Sequence, residues 1–223
     1  EIAQCLVGSE MCIRDRLGYF LGCLNGSVMV SHFVIRDDVR QHGSGNAGLT
    51  NFYRTYGAKY ALGVILLDMG KTAAACLIGG VILRYLAGDW QLGVLLGGLG
   101  CELGHMFPVF FGFKGGKGVV TAAALMLTED WRVFIAIIVT FLIIFLCSKI
   151  ISLASVLCAI LYAPYTFAMT FIFDFIIYKD YSLTYVIFST AAALLIGVFV
   201  LVKHKENIKR LLKGEEKKIT AKK

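Results

Sequence analysis

Long apolar stretches alternate along this chain with short polar ones. Seven apolar segments run approximately over residues 17–35, 60–83, 90–111, 117–128, 131–148, 150–178 and 183–202. A helix crosses the hydrocarbon core of a bilayer with about 20 residues, and six of these segments are near or above that length. The fourth, Lys117–Thr128, is too short to span alone at about 1.5 Å per residue. It is extended by its flanking glycines or forms a partial helix, which is tolerated where it lines a polar cavity. A membrane barrel would instead show segments of about ten residues with alternating polarity. The pattern therefore predicts an all-α, polytopic integral membrane protein with about seven transmembrane helices, one of them short.

Composition agrees, with 58% hydrophobic residues against about 45–50% in soluble domains. The net charge of +7 would suit nucleic acid, but its placement argues against that partner. Nine of the 22 Lys and Arg lie between Lys203 and Lys223, and a basic end beside a last span marks a cytoplasmic terminus near anionic lipid. With the N-terminus outside, Arg36, Arg40, Arg54, Lys59, Lys114, Lys117, Lys149 and the tail all fall inside. Arg84, Arg132 and Lys179 fall outside, beside Asp89, Glu129, Asp130 and Asp180. This asymmetry predicts a cytoplasmic C-terminus and an odd number of spans.

Residues 1–16, EIAQCLVGSEMCIRDR, lack the basic start, apolar core and small-residue cleavage site of a signal peptide. The run CLVGSEMCIRDR resembles translated sequencing-adapter read-through. The expected organisation is a non-native segment 1–16, a transmembrane domain 17–203 and a cytoplasmic basic tail 204–223. The seven cysteines are odd in number and form no CxxC pair. The five in apolar runs are read as small buried side chains, with neither a disulfide framework nor a metal site.

Three polar clusters fall on the predicted cytoplasmic face. The first is GSGNAGLTNFYR, residues 43–54. Gly43, Gly45 and Gly48 let backbone amides approach an anion closely. Ser44, Asn46, Thr50 and Asn51 add directed hydrogen bonds, and Arg54 offers a fork for phosphate. A plain interfacial turn rarely needs so many polar groups. The second is GHMFPVFFGFKGGKGVVT, residues 104–121, where Gly115, Gly116 and Gly118 interleave with Lys114 and Lys117 before a short helix. A helix N-terminus beside lysine is a phosphate-binding device. The third is KHKENIKRLLKGEE, residues 203–216, with His204, Asn207 and Arg210 at three-residue intervals on roughly one helix face. Alone it reads as a basic juxtamembrane stop; beside the other two it reads as part of a site. Ser152 and Ser155, at the cytoplasmic start of the sixth span, either pack helices or reach the same site.

Other signals are weaker. Gly43, Gly45 and Gly48 satisfy GxGxxG, but no βαβ unit surrounds them. Lys117 is not followed by the Ser or Thr of a Walker loop, and GKT at 70–72 lies inside a span. Asp68 and Lys71 suit an intrahelical ion pair. His105 fits a structural role or a site role equally well, and Pro108 shapes its helix. His32 and Asp37 match the His-x4-Asp spacing of another acyltransferase class, with nothing else from that class around them.

The three clusters, in this order and with LLDMGK after the first, closely resemble the bacterial acyl-phosphate:glycerol-3-phosphate acyltransferase family, PlsY. The resemblance covers residues 17–216. Leu49 and Val120 stand where that family usually has alanine. It implies a seven-span enzyme of the bacterial plasma membrane with its active site at the cytoplasmic face. Such an enzyme transfers a fatty acyl group from acyl phosphate to the 1-hydroxyl of glycerol 3-phosphate, giving lysophosphatidic acid and phosphate. No cofactor or metal is implied; the partners are the two substrates and membrane lipid. By resemblance, Ser44 and the 43–51 loop hold the donor phosphate, and Arg54, Lys117, Ser155, His204 and Asn207 hold glycerol 3-phosphate. The rival reading, an organic-phosphate transporter, would also want cationic glycine loops. It fits poorly with polar groups at one face and no duplicated half.

Overall fold

The computed structural model describes residues 16–218. Residues 1–15, which hold nearly all of the segment expected to be foreign, lie outside them. The chain divides into two compact units, the first ending at Glu129 and the second beginning at Asp130.

In the first unit, α1 (Arg16–Cys23) and α2 (Gly26–Ile35) form an apolar pair bent by 40°. The sequence predicted one continuous segment here. Asn25 breaks it: the buried side chain accepts from the Val28 amide at 3.0 Å, capping a new helix, and donates to the Ala47 carbonyl at 3.1 Å. α2 ends at Arg36, in the left-handed region at φ 62°. α3 (Leu49–Tyr56) is short and amphipathic, with Phe52 in a core with Val30, Val39, Ala61 and Val64.

α4 (Ala58–Ala87) and α5 (Trp90–Met106) are joined by Gly88 and by Asp89, whose carboxylate caps α5 through the Leu92 amide at 2.9 Å. Their contact is built from small residues. A Cβ on Gly79 would overlap the Gly93 carbonyl, and one on Gly97 would overlap the Ala75 carbonyl. Backbones this close gain dispersion contacts that larger side chains would forbid. α6 (Val119–Glu129) is 11 residues long, the partial helix that the fourth apolar segment predicted.

In the second unit, α7 (Trp131–Ser148) starts at Asp130, whose carboxylate accepts from the Arg132 amide at 2.9 Å. The Arg132 guanidinium also bridges Asp130 at 2.7 Å and Asp174 at 2.6 Å. α8 (Ile151–Ala168) contains Pro164 and continues as a wider-wound helix to Ile177. α9 (Leu183–Lys203) is capped by Ser182 and followed by α10 (Lys205–Leu212).

Among the described residues, five helices are long and apolar enough to cross a membrane, and the bent α1–α2 pair makes a sixth candidate. Large apolar side chains are exposed along them, including Leu66 on α4, Ile143 and Leu146 on α7, and Leu194 on α9. Such surfaces are what a bilayer covers. This explains one departure from expectation. Cys23, Cys76, Cys101 and Cys158 are buried, but Cys147 is exposed, because little of α7 is buried. Cys5 and Cys12 lie outside the described residues.

Candidate functional site

The loop between α2 and α3 is held from inside by one side chain. Asn51, in the first turn of α3, is buried. Its amide nitrogen donates to the carbonyls of Val39, His42 and Asn46 at 3.1, 3.0 and 3.1 Å. Its carbonyl oxygen accepts from the Ser44 amide at 2.9 Å. Asn51 was expected among the substrate-binding residues; here its polar capacity is spent on the loop. Gly43 and Gly45 turn the chain at φ 59° and 69°, and a Cβ on Gly43 would overlap the Asn51 oxygen. Gly43, Ser44 and Gly45 are thereby exposed, while Asn46, Gly48 and Thr50 are partly buried. Arg54 is exposed one turn after Asn51.

Beside this loop, Asp37 accepts from the Tyr56 hydroxyl at 2.9 Å and lies 2.8 Å from His42 Nε2. The imidazole, the Asp38 amide and the Tyr56 hydroxyl hold the Asp37 carboxyl below its usual range. Burial, and then Asp37, push the Tyr56 phenol up to about 12. Asp37 thus pairs with His42, while the His32 ring lies edge-on to Phe33. The His-x4-Asp spacing was a coincidence of sequence.

The second glycine cluster sits at the end of α5 and leads into α6. Gly115, Gly116 and Gly118 are buried and Lys117 is partly buried. A Cβ on Gly115 would overlap the His105 carbonyl, and one on Gly116 the His105 ring. One on Gly118 would overlap the fully buried Glu102 carboxyl, which makes no well-formed hydrogen bond among the described residues. The Arg40 guanidinium, paired with Asp38 at 2.7 Å, lies 5.3 Å over the Phe111 ring. That contact brings the segment entering the first loop to the turn entering the second. The two loops therefore share one end of the first unit, where α6 begins.

The second unit carries the third cluster. His204, Asn207, Ser152 and Ser155 are all buried. His204 Nδ1 is 2.8 Å from the Val200 carbonyl. A carbonyl only accepts, so Nδ1 carries a proton, and whenever the ring is neutral Nε2 is its acceptor. Ser155 donates to the Ile151 carbonyl of its own helix at 3.0 Å. Glu216, which the sequence reading left unassigned, gathers the rest. One carboxylate oxygen accepts from Ser152 at 2.9 Å and Asn207 at 2.8 Å; the other accepts from Arg210 Nε at 2.7 Å. The second glutamate of GEE was the available signal, but spacing alone could not pair it with a serine 64 positions away.

Burial raises the Glu216 carboxyl, but the bonds from Arg210, Asn207 and Ser152 outweigh it and leave the group below its usual range. Its folded-state stabilisation is therefore full above the ordinary glutamate value of about 4.3 and fades as pH falls through the lower folded value. Glu216→Gln should cost about 1.5–3 kcal/mol near neutrality, the worth of a hydrogen bond to a charged group. Thermal unfolding against pH checks this: the gap between variant and parent should be constant above about pH 5 and narrow below about pH 4.

Apolar helices with outward-facing apolar surfaces define a class, helical integral membrane proteins, and this one carries two glycine-rich loops at one end of its first unit. Comparison with known proteins narrows it. The family profile described as glycerol-3-phosphate acyltransferase matches residues 16–214. A glycerol-3-phosphate acyltransferase of Finegoldia magna is 36% identical over 203 residues, covering 90% of this chain and 92% of the relative. One from Caulobacter vibrioides is 36% identical, covering 92% of this chain and 86% of the relative. The crystal structure of PlsY (YgiH), an integral membrane glycerol 3-phosphate acyltransferase, in its glycerol 3-phosphate form is 31% identical. It superposes with a TM-score of 0.75 and covers 94% of this chain and 96% of that one. Its lysophosphatidic acid form gives 0.74 at 30% identity, covering 94% and 95%. The chain belongs to the glycerol-3-phosphate acyltransferase family, PlsY.

Proposed function

We propose that this protein transfers a fatty acyl group from acyl phosphate to the 1-hydroxyl of glycerol 3-phosphate, giving lysophosphatidic acid and phosphate. The family supports the acceptor and the reaction class. The observation that carries the donor assignment is the pair of glycine-walled loops at one end of the first unit, the first exposing Ser44 and the second running into α6. Both substrates then carry phosphate, and each loop suits one. Ser44 and the 43–48 backbone would hold the donor phosphate. Arg54 and Lys117 would hold glycerol 3-phosphate, a role the resemblance also gives to Ser155, His204 and Asn207.

Acyl phosphate is already activated, so orientation and charge stabilisation are the main demands on the enzyme. The glycerol hydroxyl oxygen bonds to the acyl carbon, the acyl carbon–oxygen bond to phosphate breaks, and inorganic phosphate leaves. A phosphate oxygen takes the hydroxyl proton. His204 Nε2 is the competing base, since Nδ1 already faces Val200. A His204→Ala enzyme that keeps the parent pH–rate profile would assign the proton to phosphate. A trapped acylated side chain would overturn direct transfer.

The charge asymmetry of the loops supports an N-terminus outside, an odd number of spans and both glycine loops at the cytoplasmic face, and the family resemblance adds a bacterial plasma membrane and about seven membrane segments. Membranes bearing the protein should make labelled lysophosphatidic acid from labelled glycerol 3-phosphate with palmitoyl phosphate and not with palmitoyl-CoA. Product from the CoA ester alone would overturn the donor assignment. Folded protein inactive with both would favour an organic-phosphate carrier.

A further inference from the structure

A buried polar cluster in the first unit lies outside the residues assigned above. Asp68 and Lys71, three residues apart on α4, pair at 2.8 Å with almost no exposure of either side chain. Buried charges at membrane depth are costly unless every one of them is satisfied. A simple intrahelical pair would end there, but this one reaches further. Asp68 also accepts from the Gly26 amide at 3.0 Å, in the first turn of α2. The Lys71 ammonium donates to the Leu24 and Gly22 carbonyls at 2.6 and 3.1 Å, at the end of α1. One ion pair thus caps both sides of the break that Asn25 opens, where helical partners are lost.

Lys71 has a further contact, 2.9 Å from His105 Nδ1. An ammonium has only protons to give, so Nδ1 accepts and the ring proton sits on Nε2. That edge of the ring lies directly beneath Gly116, where a Cβ would overlap Nε2. The His105 carbonyl meanwhile accepts from the Gly116 amide at 3.1 Å. His105 therefore supports the second loop with both its ring and its backbone, and Lys71 fixes the ring.

We propose that Asp68, Lys71 and His105 form a seat for the Gly115–Gly118 loop, with His105 as a positioning residue for phosphate binding there. The catalytic consequence rests on the acyl-transfer reading; the structural one does not. Lys71 and Asp68 act through His105 and thereby couple the break in the α1–α2 pair to the loop.

The test compares full-length protein with His105→Leu, His105→Asn and the charge-neutral pair Asp68→Asn/Lys71→Met. Asparagine keeps an oxygen where Nδ1 accepts; leucine does not. Hydrogen exchange followed by mass spectrometry should accelerate about tenfold over residues 113–118 in His105→Leu, less in His105→Asn, which keeps the acceptor for Lys71 but loses the ring edge beneath Gly116, and leave 43–51 unchanged. The KM for glycerol 3-phosphate should rise about tenfold in His105→Leu with kcat altered far less, a split that general loss of folded protein does not give. Parent-like exchange and KM in folded His105→Leu would overturn the seat. If that variant does not fold, unchanged exchange in the charge-neutral pair would overturn it instead. A parent protein without acyltransferase activity that shows the exchange pattern would retain the seat and reject the acyl-transfer reading.

Discussion

Replacing Asn51 by leucine should lower kcat/KM for acyl transfer at least about a hundredfold, since it leaves one buried and two partly buried carbonyls without their partner, and a buried one alone costs about 1–3 kcal/mol. The side chain ties the Val39, His42 and Asn46 carbonyls and the Ser44 amide into one loop. Leucine fills a similar volume and offers none of those bonds. The loop would then open, and Ser44 would lose the backbone geometry that presents it. Asn51→Asp sharpens the test. It keeps an acceptor for the Ser44 amide but turns a carboxylate toward three carbonyls. It should therefore fail about as badly as leucine. Kinetics with palmitoyl phosphate, on protein shown to be folded, decide the matter. An Asn51→Asp enzyme of near-parent activity would mean that the three carbonyl bonds do not hold the loop.

Gly115→Ala should be nearly as damaging, whereas Gly112→Ala should stay within severalfold of the parent. The contrast separates two reasons for glycine. Gly112 is needed only for its backbone, at φ 59°, and a Cβ there meets open space. Its substitution costs about 1–2 kcal/mol of left-handed strain. Gly115 has no such φ, but its Cβ would overlap the His105 carbonyl and come within 2.5 Å of Pro108 Cδ. His105 lies in the last turn of α5 and Pro108 two residues beyond its end, and neither offers a flexible side-chain tip that could yield, so the loop itself must move. Overpacking of this kind costs about 1–3 kcal/mol or more, and here the displaced atoms are the proposed phosphate cradle. The KM for glycerol 3-phosphate and the thermal stability of each variant are the readouts. Near-parent KM and stability in Gly115→Ala would mean that the close approach to His105 does not set the position of the loop.

The apolar pattern alone placed the long apolar helices, though not α3 or the break between α1 and α2. Residues 131–148 and 183–202 were legible almost to their ends, because a span needs a run of fixed length and polar caps such as Asp130 and Ser182 close it. The short fourth segment was legible for the same reason and became α6. The polar clusters were also visible, since glycine, hydroxyl and cationic residues stand out against an apolar chain. Family membership followed from those clusters.

What each polar residue does was not in the sequence. Asn25 lies inside the first apolar segment, 17–35, and only its bonds to Val28 and Ala47 reveal a break there. Asn51 looked like a ligand group until three carbonyls were found around it. Asp68 and Lys71 read as a local pair, because spacing reports neighbours on one helix and not contacts to another. His105 and Glu216 acquire roles only through partners 34 and 64 residues away. Burying apolar surface needs only a pattern, which one strand of text contains. Satisfying a buried polar group needs a particular partner at hydrogen-bond distance, and only the packed chain supplies it.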